Sequence, residues 1–411
     1  MKAIERTHVI VIGAGLSGLA AARELACRGV PVTVLEAGER AGGPWRSRHP
    51  ALRLNIHRHF AQLPGKPMTK VDGDFVRRDT VVDYLENYAK ALPAPIRTGV
   101  AVTGVHRNGA RWRVTTQDVD YDCAHVVVAT GRDRVPHIPD WPGKEGYERE
   151  ILHAADLGDV SRFDGKRVLV VGAGNSGTDA LNHLSRHRPA HVWVSVRHGP
   201  AMVPARVFGF PLHRLARLFA AMPTAVLDPA FRLTQRLFLG DLKRYGLPSH
   251  PDGGGTRMLR DGIAFAIDDG FVTALKRGRF KPVGPVAGFA KDRVYTKDGR
   301  YFAPDVVICA TGYRPGLEPL FGQFGTLDSA GQPRHPMGEA DPKNPGLWFT
   351  GFRPVFTGYF DAAGTAAKRI ADSIAGDLAQ GVASGAGKRG EHSPMRGNTA
   401  TGITAAAGGG D

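Results

Sequence analysis

The first apolar segment of the chain predicts a strand, a glycine turn, a helix and a second strand. The stretch HVIVIGAGLSGLAAAREL places an apolar run before Gly13, Gly15 and Gly18 and a helical pattern after them. A second apolar run, VPVTVLE, ends at Glu36. Apolar runs bounded by glycine turns, with a helix-length segment between them, predict a βαβ unit with a parallel strand pair.

A second copy of this pattern starts at residue 168. The stretch VLVVGAGNSGTDALNHL carries Gly172, Gly174 and Gly177, and the next apolar run, AHVWVSVR, ends at Arg197. An internal repeat of a whole supersecondary unit predicts two nucleotide-binding units in one chain.

Two shorter apolar runs end in Ala-Thr-Gly and are interpreted as the closing strands of the two units. They are VVVATGRD at 126–133 and VVICATGYRP at 306–315. The second unit then lies between the first closing strand and the C-terminal stretch LWFTGF at 347–352. We therefore predict an α/β fold with two Rossmann-like dinucleotide-binding domains, the second inserted into the first.

The residue that ends each second strand distinguishes the two nucleotide sites. Glycines in this context let the backbone approach a pyrophosphate at a helix N-terminus, although they could also serve tight packing alone. Glu36 offers a carboxylate to a ribose 2′-hydroxyl, whereas Arg197 would bind a 2′-phosphate unless it is an ordinary surface arginine. The second site is therefore expected to bind NADPH in preference to NADH.

The loop AGGPWRS, residues 41–47, favours FAD at the first site. Gly42 and Gly43 allow the chain to pass close to a flat ring system, and Trp45 offers an apolar face, although a core tryptophan in a glycine-rich loop is the alternative. The remaining predicted cofactor-binding residues are Asn175 and Ser176 of the second turn and the strand-end residues Thr130, Gly131, Thr311, Gly312, Tyr313 and Gly351.

These assignments divide the chain into four parts. The predicted parts are a first FAD-binding segment at 1–145, an NADPH-binding domain at 146–303 with a helical insertion at 205–250, a second FAD-binding segment at 304–380, and a disordered tail at 381–411. The insertion is amphipathic. Three interpretations of it stay open: packing on its own domain, a substrate-access lid, and contact with a membrane surface. The tail is rich in small residues and lacks apolar periodicity.

Composition narrows the class of protein further. The chain of 411 residues is 42% hydrophobic and 23% charged, typical of a globular enzyme, and its formal net charge of +15 favours anionic ligands. Cys27, Cys123 and Cys309 form no Cys-x-x-Cys pair, which indicates a reduced, cytoplasmic protein without a dithiol centre. We expect no metal site, no nucleic-acid partner and no membrane span, and contact with a membrane is possible but not expected.

The order of these motifs resembles that of the class B flavin-containing monooxygenases, over residues 7 to about 378. FDGKRVLVVGAGNSG, LGDLKRYGLP and VVICATGYRP are closest to the branch of the auxin-synthesis indole-3-pyruvate monooxygenases and their microbial relatives. The resemblance implies that NADPH reduces FAD, that O₂ forms a C4a-hydroperoxide on the flavin, and that one oxygen atom passes to a small organic substrate. The substrate is left open among an α-keto acid such as indole-3-pyruvate, an amine, a sulfide and a ketone.

Three parts of the sequence are compared with the family pattern: Asn55, the segment Tyr147 to His153, and Phe352. Asn55 stands where animal-type members have a flavin-facing asparagine and the auxin branch usually has histidine, so Asn55 is the predicted catalytic hydrogen-bond donor, with a loop-capping role as the alternative. The segment Tyr147 to His153 keeps only the histidine of the identifying motif. His153 is expected either to position NADPH or to be an unpartnered loop residue. Phe352 stands where disulfide reductases have an aspartate.

Two other classes of function stay open beside the monooxygenase. One is an NADPH-dependent flavin oxidoreductase or oxidase without oxygen insertion. The other is a non-catalytic flavoprotein sensor. The oligomeric state is not predicted.

Overall fold

Two parallel sheets, one behind each glycine turn, organise the chain. A computed structural model describes residues 2–387. Across the first sheet the strands follow the spatial order Leu347–Phe349, His125–Val128, Val9–Ile12, Val32–Leu35 and Ile96–Arg97. The edge strand 347–349 pairs with 125–128 although the whole second unit separates them in sequence, so the second unit is inserted into the first.

The first sheet is covered on both faces, as its apolar strands require. All four residues of the strands Val9–Ile12 and His125–Val128 are buried, and parallel strands of this kind need cover above and below. Helices cover one face and a four-stranded sheet covers the other. The helices are Leu16–Ala26, Arg78–Lys90 and Tyr359–Gly387, and the covering strands are Ala3–Arg6, Val119–Cys123, Arg111–Thr116 and Val102–Asn108.

The second sheet repeats this three-layer arrangement. Its parallel strands follow the order Glu150–His153, Val306–Cys309, Arg167–Val171, His191–Ser195 and Phe280–Val283. The helices Asn175–Leu184 and Phe271–Lys276 pack on one face, and the antiparallel strands Val286–Phe289, Val294–Thr296 and Tyr301–Phe302 pack on the other. The predicted α/β fold with one dinucleotide unit inserted into the other is confirmed.

The structure differs from the predicted boundary after residue 303. The strand Val306–Cys309 pairs with 150–153 on one side and 167–171 on the other, so it belongs to the second sheet. The chain returns to the first unit only after this strand, because a buried apolar strand is bound to the sheet that supplies its hydrogen bonds.

The helical insertion bridges both units instead of packing only on its own. It contains the hairpin strands Arg206–Val207 and Phe210–Pro211 and the helices Leu212–Leu215, Ala216–Ala221, Thr224–Thr234, Gln235–Leu239 and Leu242–Tyr245. Arg206 forms an ion pair with Asp74 of the first unit, and the His57 backbone N–H donates to His213 Nδ1 at 3.1 Å. The helix Gly254–Asp261 follows, and the short strands Met202–Pro204 and Ala266–Asp268 join the insertion to the second unit.

The remaining connections are short. They are the helical turns Gly43–Arg46, Arg58–Phe60, Lys144–Gly146, Ala154–Asp156, Val160–Phe163, Glu318–Phe321 and Gly322–Phe324, and the strand pair Val135–Pro136 with Tyr313–Arg314.

The last helix continues past the predicted start of the tail. Within the described residues it spans Tyr359–Gly387, whereas the tail is predicted from residue 381; residues 388–411 lie outside the described part. Within residues 2–387, no helix is long and apolar enough to cross a membrane.

Candidate functional site

The three glycines of the first turn have two different tasks. Gly13 adopts φ +104°, and a Cβ there would lie 2.7 Å from the Ala129 carbonyl oxygen. A Cβ on Gly18 would lie 1.9 Å from the Gly13 carbonyl oxygen, so these two glycines let the turn and helix pack. A Cβ on Gly15 would meet nothing within 4 Å. The middle glycine therefore faces open space, where backbone can approach a ligand.

The second turn has the same geometry. Gly172 adopts φ +98°, and a Cβ there would lie 2.6 Å from the Ala310 carbonyl oxygen. A Cβ on Gly177 would clash with the Gly172 carbonyl oxygen, whereas a Cβ on Gly174 would meet nothing within 4 Å. The helices that begin at Leu16 and Asn175 have no side-chain N-cap, so the first N–H groups are free for an anion. Both turns fit a pyrophosphate.

Two buried hydroxyl groups at the carboxyl edge of the first sheet support a ligand there. Thr130 and Thr350 follow adjacent strands, and the Oγ1 atom of each is buried without a hydrogen-bond partner among the described residues. An unsatisfied buried hydroxyl costs about 1 to 3 kcal/mol, which a bound cofactor would recover. Gly131 and Gly351 follow these threonines at φ +84°. Thr350 was missed from sequence; its place between the strand LWF and Gly351 was the available signal.

Glu36 and the AGGPW loop lie against the first turn. The two carboxylate oxygens of Glu36 accept the N–H groups of Ala14 at 2.6 Å and Gly38 at 2.8 Å. Gly42, at φ +71°, donates its N–H to the Ala14 carbonyl oxygen at 2.9 Å. A Cβ added to Gly43 would meet nothing within 4 Å, so Gly43 borders open space. Trp45 is half-buried with its ring centroid 6.2 Å from that of Phe360.

Arg197 is available for an anion at the second site. It lies two residues after the end of the strand His191–Ser195, and its side chain is exposed. It forms no ion pair or side-chain hydrogen bond among the described residues. The neighbouring His198 ring packs against His250 at 5.2 Å between centroids. Asn175 and Ser176, in the first turn of the helix, are exposed on the same unit.

His153 holds the second Ala-Thr-Gly turn. Its Nε2 atom donates to the Gly312 carbonyl at 3.0 Å, its Nδ1 atom accepts the Ala155 N–H at 3.0 Å, and its ring packs edge-on against Tyr313 at 4.7 Å. Burial lowers the pKa of His153, and the hydrogen bond to the Gly312 carbonyl opposes this shift. Both nitrogens are engaged by protein, so the expectation of an unpartnered loop histidine is wrong.

The residues around that turn also join the two units. The Thr311 hydroxyl donates to the His137 carbonyl oxygen. Arg48, which follows the AGGPW loop, donates to the Tyr313 hydroxyl, and its guanidinium carbon lies 5.2 Å from the Tyr313 ring centroid. Sequence reasoning missed Arg48, because nothing local indicates which tyrosine it meets.

Asn55 lies at the junction of the two nucleotide units. Its Nδ2 donates to Asn175 Oδ1 at 3.1 Å, which connects the loop after Leu54 to the second glycine turn. The side chain of Asn55 is half-buried. The predicted donor and a predicted NADPH-site residue are thus brought into direct contact.

A second contact between the units involves His49, Asp179 and His183. Asp179 Oδ2 lies 2.8 Å from His49 Nε2, and Asp179 Oδ1 lies 3.5 Å from His183 Nε2. Burial opposes ionisation, but the two histidine hydrogen bonds lower the pKa of Asp179 to about 2. No metal site is expected from the sequence, yet these three side chains place their ligand atoms within 4.8 Å of one another, with Asp179 between the two imidazole rings.

All three cysteines are free, and two of them are inert. Burial raises the pKa of Cys123 and of Cys309 to about 12. A buried thiol with so high a pKa is a poor nucleophile. With two glycine turns, an inserted second sheet and no dithiol, the fold and site define an oxidoreductase that uses two dinucleotides.

Comparison with known proteins identifies the family. Residues 10–205 match the pyridine nucleotide-disulphide oxidoreductase family. The chain is 31% identical to the probable indole-3-pyruvate monooxygenase YUCCA7 of Arabidopsis thaliana, over 87% of this chain and 86% of that protein. It is 33% identical to the indole-3-pyruvate monooxygenase YUCCA1 of Oryza sativa subsp. japonica, over 77% and 79% of the two chains.

Solved structures share the fold. The flavin-containing monooxygenase from Stenotrophomonas maltophilia superposes with a TM-score of 0.69 at 24% identity, covering 91% of this chain and 99% of that chain. A cyclohexanone monooxygenase from a Rhodococcus species gives a TM-score of 0.67 at 19% identity, covering 92% and 85%. The chain belongs to the flavin-containing monooxygenase family, in the group that includes the indole-3-pyruvate monooxygenases. It is an FAD- and NADPH-dependent monooxygenase that acts on a small-molecule substrate and O₂.

Proposed function

We propose that Asn55, oriented by Asn175, is the hydrogen-bond donor that directs oxygen to the substrate. The observation that carries this proposal is the 3.1 Å hydrogen bond between the two side chains. Because Asn175 Oδ1 accepts one N–H of the Asn55 amide, the amide orientation is set and its other N–H is left for a ligand. When bound and reduced, the flavin supplies the electrons that activate O₂.

The cofactor sites follow from the two turns. FAD would be held by the first turn, with Gly13, Gly15, Gly18 and Glu36 toward its adenosine half and Gly42, Gly43, Trp45, Thr130, Gly131 and Gly351 along its path. NADPH would be held by Gly172, Gly174, Asn175, Ser176, Gly177 and Arg197, with Thr311, Gly312 and Tyr313 beside it. In this proposal His153 acts through Gly312 as a positioning residue.

An aromatic cluster between the insertion and the first unit supports an apolar substrate site. Successive ring centroids lie 5.1 Å apart for Phe219 and Phe231, 4.4 Å for Phe231 and Phe265, and 6.2 Å for Phe265 and Phe356. Buried Phe60, which follows the Asn55 loop, belongs to the same cluster. We propose that these rings line the substrate site, because an apolar lining excludes water, and water exclusion is what oxygen transfer without H₂O₂ release requires.

Of the open substrate classes, we propose an α-keto acid with an aromatic side chain as the first to test. The curated relatives at 31% and 33% identity carry the name indole-3-pyruvate monooxygenase. Asn55 in place of the branch's usual histidine keeps a ketone, an amine and a sulfide in the panel.

The test combines oxygen labelling with coupling. The holoenzyme is turned over with NADPH under ¹⁸O₂ in the presence of each substrate class, and product label, H₂O₂ and NADPH consumption are measured together. One labelled oxygen per product and little H₂O₂ with one class supports the proposal. Conversion of all NADPH to H₂O₂ with every class favours the oxidase, and failure of NADPH to reduce the flavin favours the sensor.

We also propose a cytoplasmic location. All three cysteines are free, which suits a reducing compartment.

A further inference from the structure

Large apolar side chains are exposed on the outer side of the insertion. We define the outer apolar patch as Phe208, Phe210, Leu233, Leu237 and Phe238. Phe208 is 95% exposed and Leu237 70% exposed, and the rings of Phe208 and Phe238 are in edge contact with centroids 5.5 Å apart. The contact joins the hairpin to the helical segment Gln235–Leu239, so the patch is one surface built from separate elements.

Phe208 is held in an unfavourable backbone conformation at the hairpin tip. It is the only non-glycine residue with positive φ, at +49°, among residues 2–387, and Gly209 beside it has φ +80°. A bulky residue in the left-handed region costs about 1 kcal/mol or more, and here the exposed ring recovers little of it by packing inside the protein. Asparagine or glycine would suit this turn better, so the phenylalanine indicates a contact outside the chain.

The helix behind the patch is apolar on both sides. Leu227 and Phe231 face the aromatic cluster, whereas Leu233 and Leu237, four residues apart and therefore on one side, face outward. An apolar stripe on a helix is ordinarily buried against another element. The outer side of this helix is thus left for an external apolar environment.

The charge around the patch is positive. Residues 205–250 contain the basic residues Arg206, Arg214, Arg217, Arg232, Arg236, Lys243 and Arg244, against Asp228 and Asp241 as the acidic ones. Asp228 is buried, where it accepts the Gly255 N–H at 2.6 Å. Arg214 and Arg236 form no ion pair among the described residues.

We propose that the outer apolar patch docks on the surface of a bilayer that contains anionic phospholipids. The apolar side chains enter the headgroup and acyl boundary while Arg236, which adjoins Leu237 and has no ion pair among the described residues, binds a lipid phosphate. In this proposal the contact is at the bilayer surface. A second protein copy would gain the same apolar contact, but it would bring the same positive charge, which opposes association.

The experiment measures binding of the full-length holoenzyme to sedimented vesicles. One set of vesicles is phosphatidylcholine alone, and the other is phosphatidylcholine with phosphatidylserine. We expect binding to the anionic vesicles that weakens as salt is raised, and much weaker binding to the neutral ones.

Single-residue variants test whether the outer apolar patch is the surface that binds the vesicles. Phe208→Asn should weaken binding about 10-fold, since a single Phe side chain is withdrawn from lipid, and Arg236→Gln should weaken it about fivefold. Phe208→Asn suits the left-handed conformation, so its Tm should equal or exceed that of the wild type, which separates loss of docking from loss of folding. Val71→Ser, which removes a 72% exposed apolar residue elsewhere, is the control and should bind as the wild type does.

Three outcomes would overturn the proposal. One is absence of wild-type binding to anionic vesicles at low salt. Another is equal binding by Phe208→Asn and Val71→Ser. The third is a concentration-dependent dimer, seen by sedimentation velocity, that Phe208→Asn dissociates while vesicle binding is absent. None of these readouts depends on substrate turnover, so they stand apart from the proposed oxygenation.

Discussion

His49 Nε2 lies 2.8 Å from the Asp179 carboxylate, and this hydrogen bond joins a loop of the FAD unit to the nucleotide helix of the NADPH unit. His49 and His183 are buried, with their ring centroids 4.4 Å apart. A single carboxylate therefore serves two imidazole rings at the boundary where the two cofactors must meet. The relative position of the units depends on it, because a buried polar group tolerates few alternative partners.

Asp179→Asn is expected to loosen this boundary. The amide has a similar shape but cannot accept hydrogen bonds on both sides, so one buried imidazole N–H loses its acceptor. The expected cost is about 1 to 3 kcal/mol in the free energy of unfolding, measured by denaturant titration of the holoenzyme. Asp118→Asn, at an exposed turn, is the control; equal stability of the two variants would show that the contact contributes nothing.

The two middle glycines offer selective removal of each cofactor. A methyl group on Gly15 or Gly174 meets open space in the protein, so Gly15→Ala should lower FAD content and Gly174→Ala should raise the Kd for NADPH while folding is retained. Gly13→Ala would instead strain the turn itself. Flavin absorbance and NADPH titration measure the two effects, with Gly376→Ala on the last helix as the control. If each variant affected both cofactors equally, the assignment of the turns would fail.

Arg197→Ala should reduce preference for NADPH. Loss of a charge-assisted phosphate contact costs about 1.5 to 3 kcal/mol, or roughly 10- to 150-fold in NADPH binding, with little change for NADH. The measurement is kcat/KM for flavin reduction with each nucleotide. Arg188→Ala, also exposed on this unit, should leave the ratio unchanged. An unchanged ratio in Arg197→Ala would place the 2′-phosphate elsewhere.

Asn55→Leu should uncouple NADPH oxidation from oxygen insertion. Loss of one donor in a water-excluded site costs about 2 to 4 kcal/mol of electrostatic stabilisation, so H₂O₂ per NADPH should rise while FAD content and flavin reduction stay near wild type. Asn175→Ala should raise H₂O₂ release less, since the Asn55 amide remains but loses its orienting acceptor. His59→Leu, exposed in the same loop, is the control. Identical coupling in Asn55→Leu and wild type would remove Asn55 from the mechanism.

Attachment of the insertion should weaken in mild acid. Burial lowers the pKa of His213 to about 4, below its ordinary value of 6.5, and the neighbouring His57 is shifted downward by the same cause despite its hydrogen bond to Asp74. Above pH 6.5 both folded and unfolded states hold a neutral His213. As the pH falls from 6.5 toward 4 the unfolded state binds the proton first, so stability decreases, by at most about 1.4 kcal/mol per pH unit for one group.

The measurement is the denaturant midpoint between pH 7 and 4.5. His213→Gln cannot titrate and should show a shallower decline than the wild type. An identical slope in the two proteins would assign the acid sensitivity to other histidines such as His125, whose pKa burial also lowers to about 4.

Local pattern was enough to predict both nucleotide turns. Gly13 is required by its own φ and Gly18 by the Gly13 carbonyl oxygen five residues before it, and the apolar strands before the turns, Val9–Ile12 and Arg167–Val171, are buried almost throughout. Such rules are steric and short-range, so they can be read along the chain. The α/β fold, the repeat and the insertion of one unit into the other followed from them.

The tertiary structure alone decided what meets at the boundary between the units. The sequence placed Asn55 and Asn175 among the candidates without indicating that they touch, and it left His49, Arg48 and Thr350 unmarked. The predicted boundary at residue 303 separated the strand Val306–Cys309 from the second unit, although its Ala-Thr-Gly end marks it as that unit's closing strand, because an apolar strand has the same sequence pattern in either sheet. Contacts between residues more than 100 positions apart depend on how the two sheets and the insertion pack, and no local spacing records that packing.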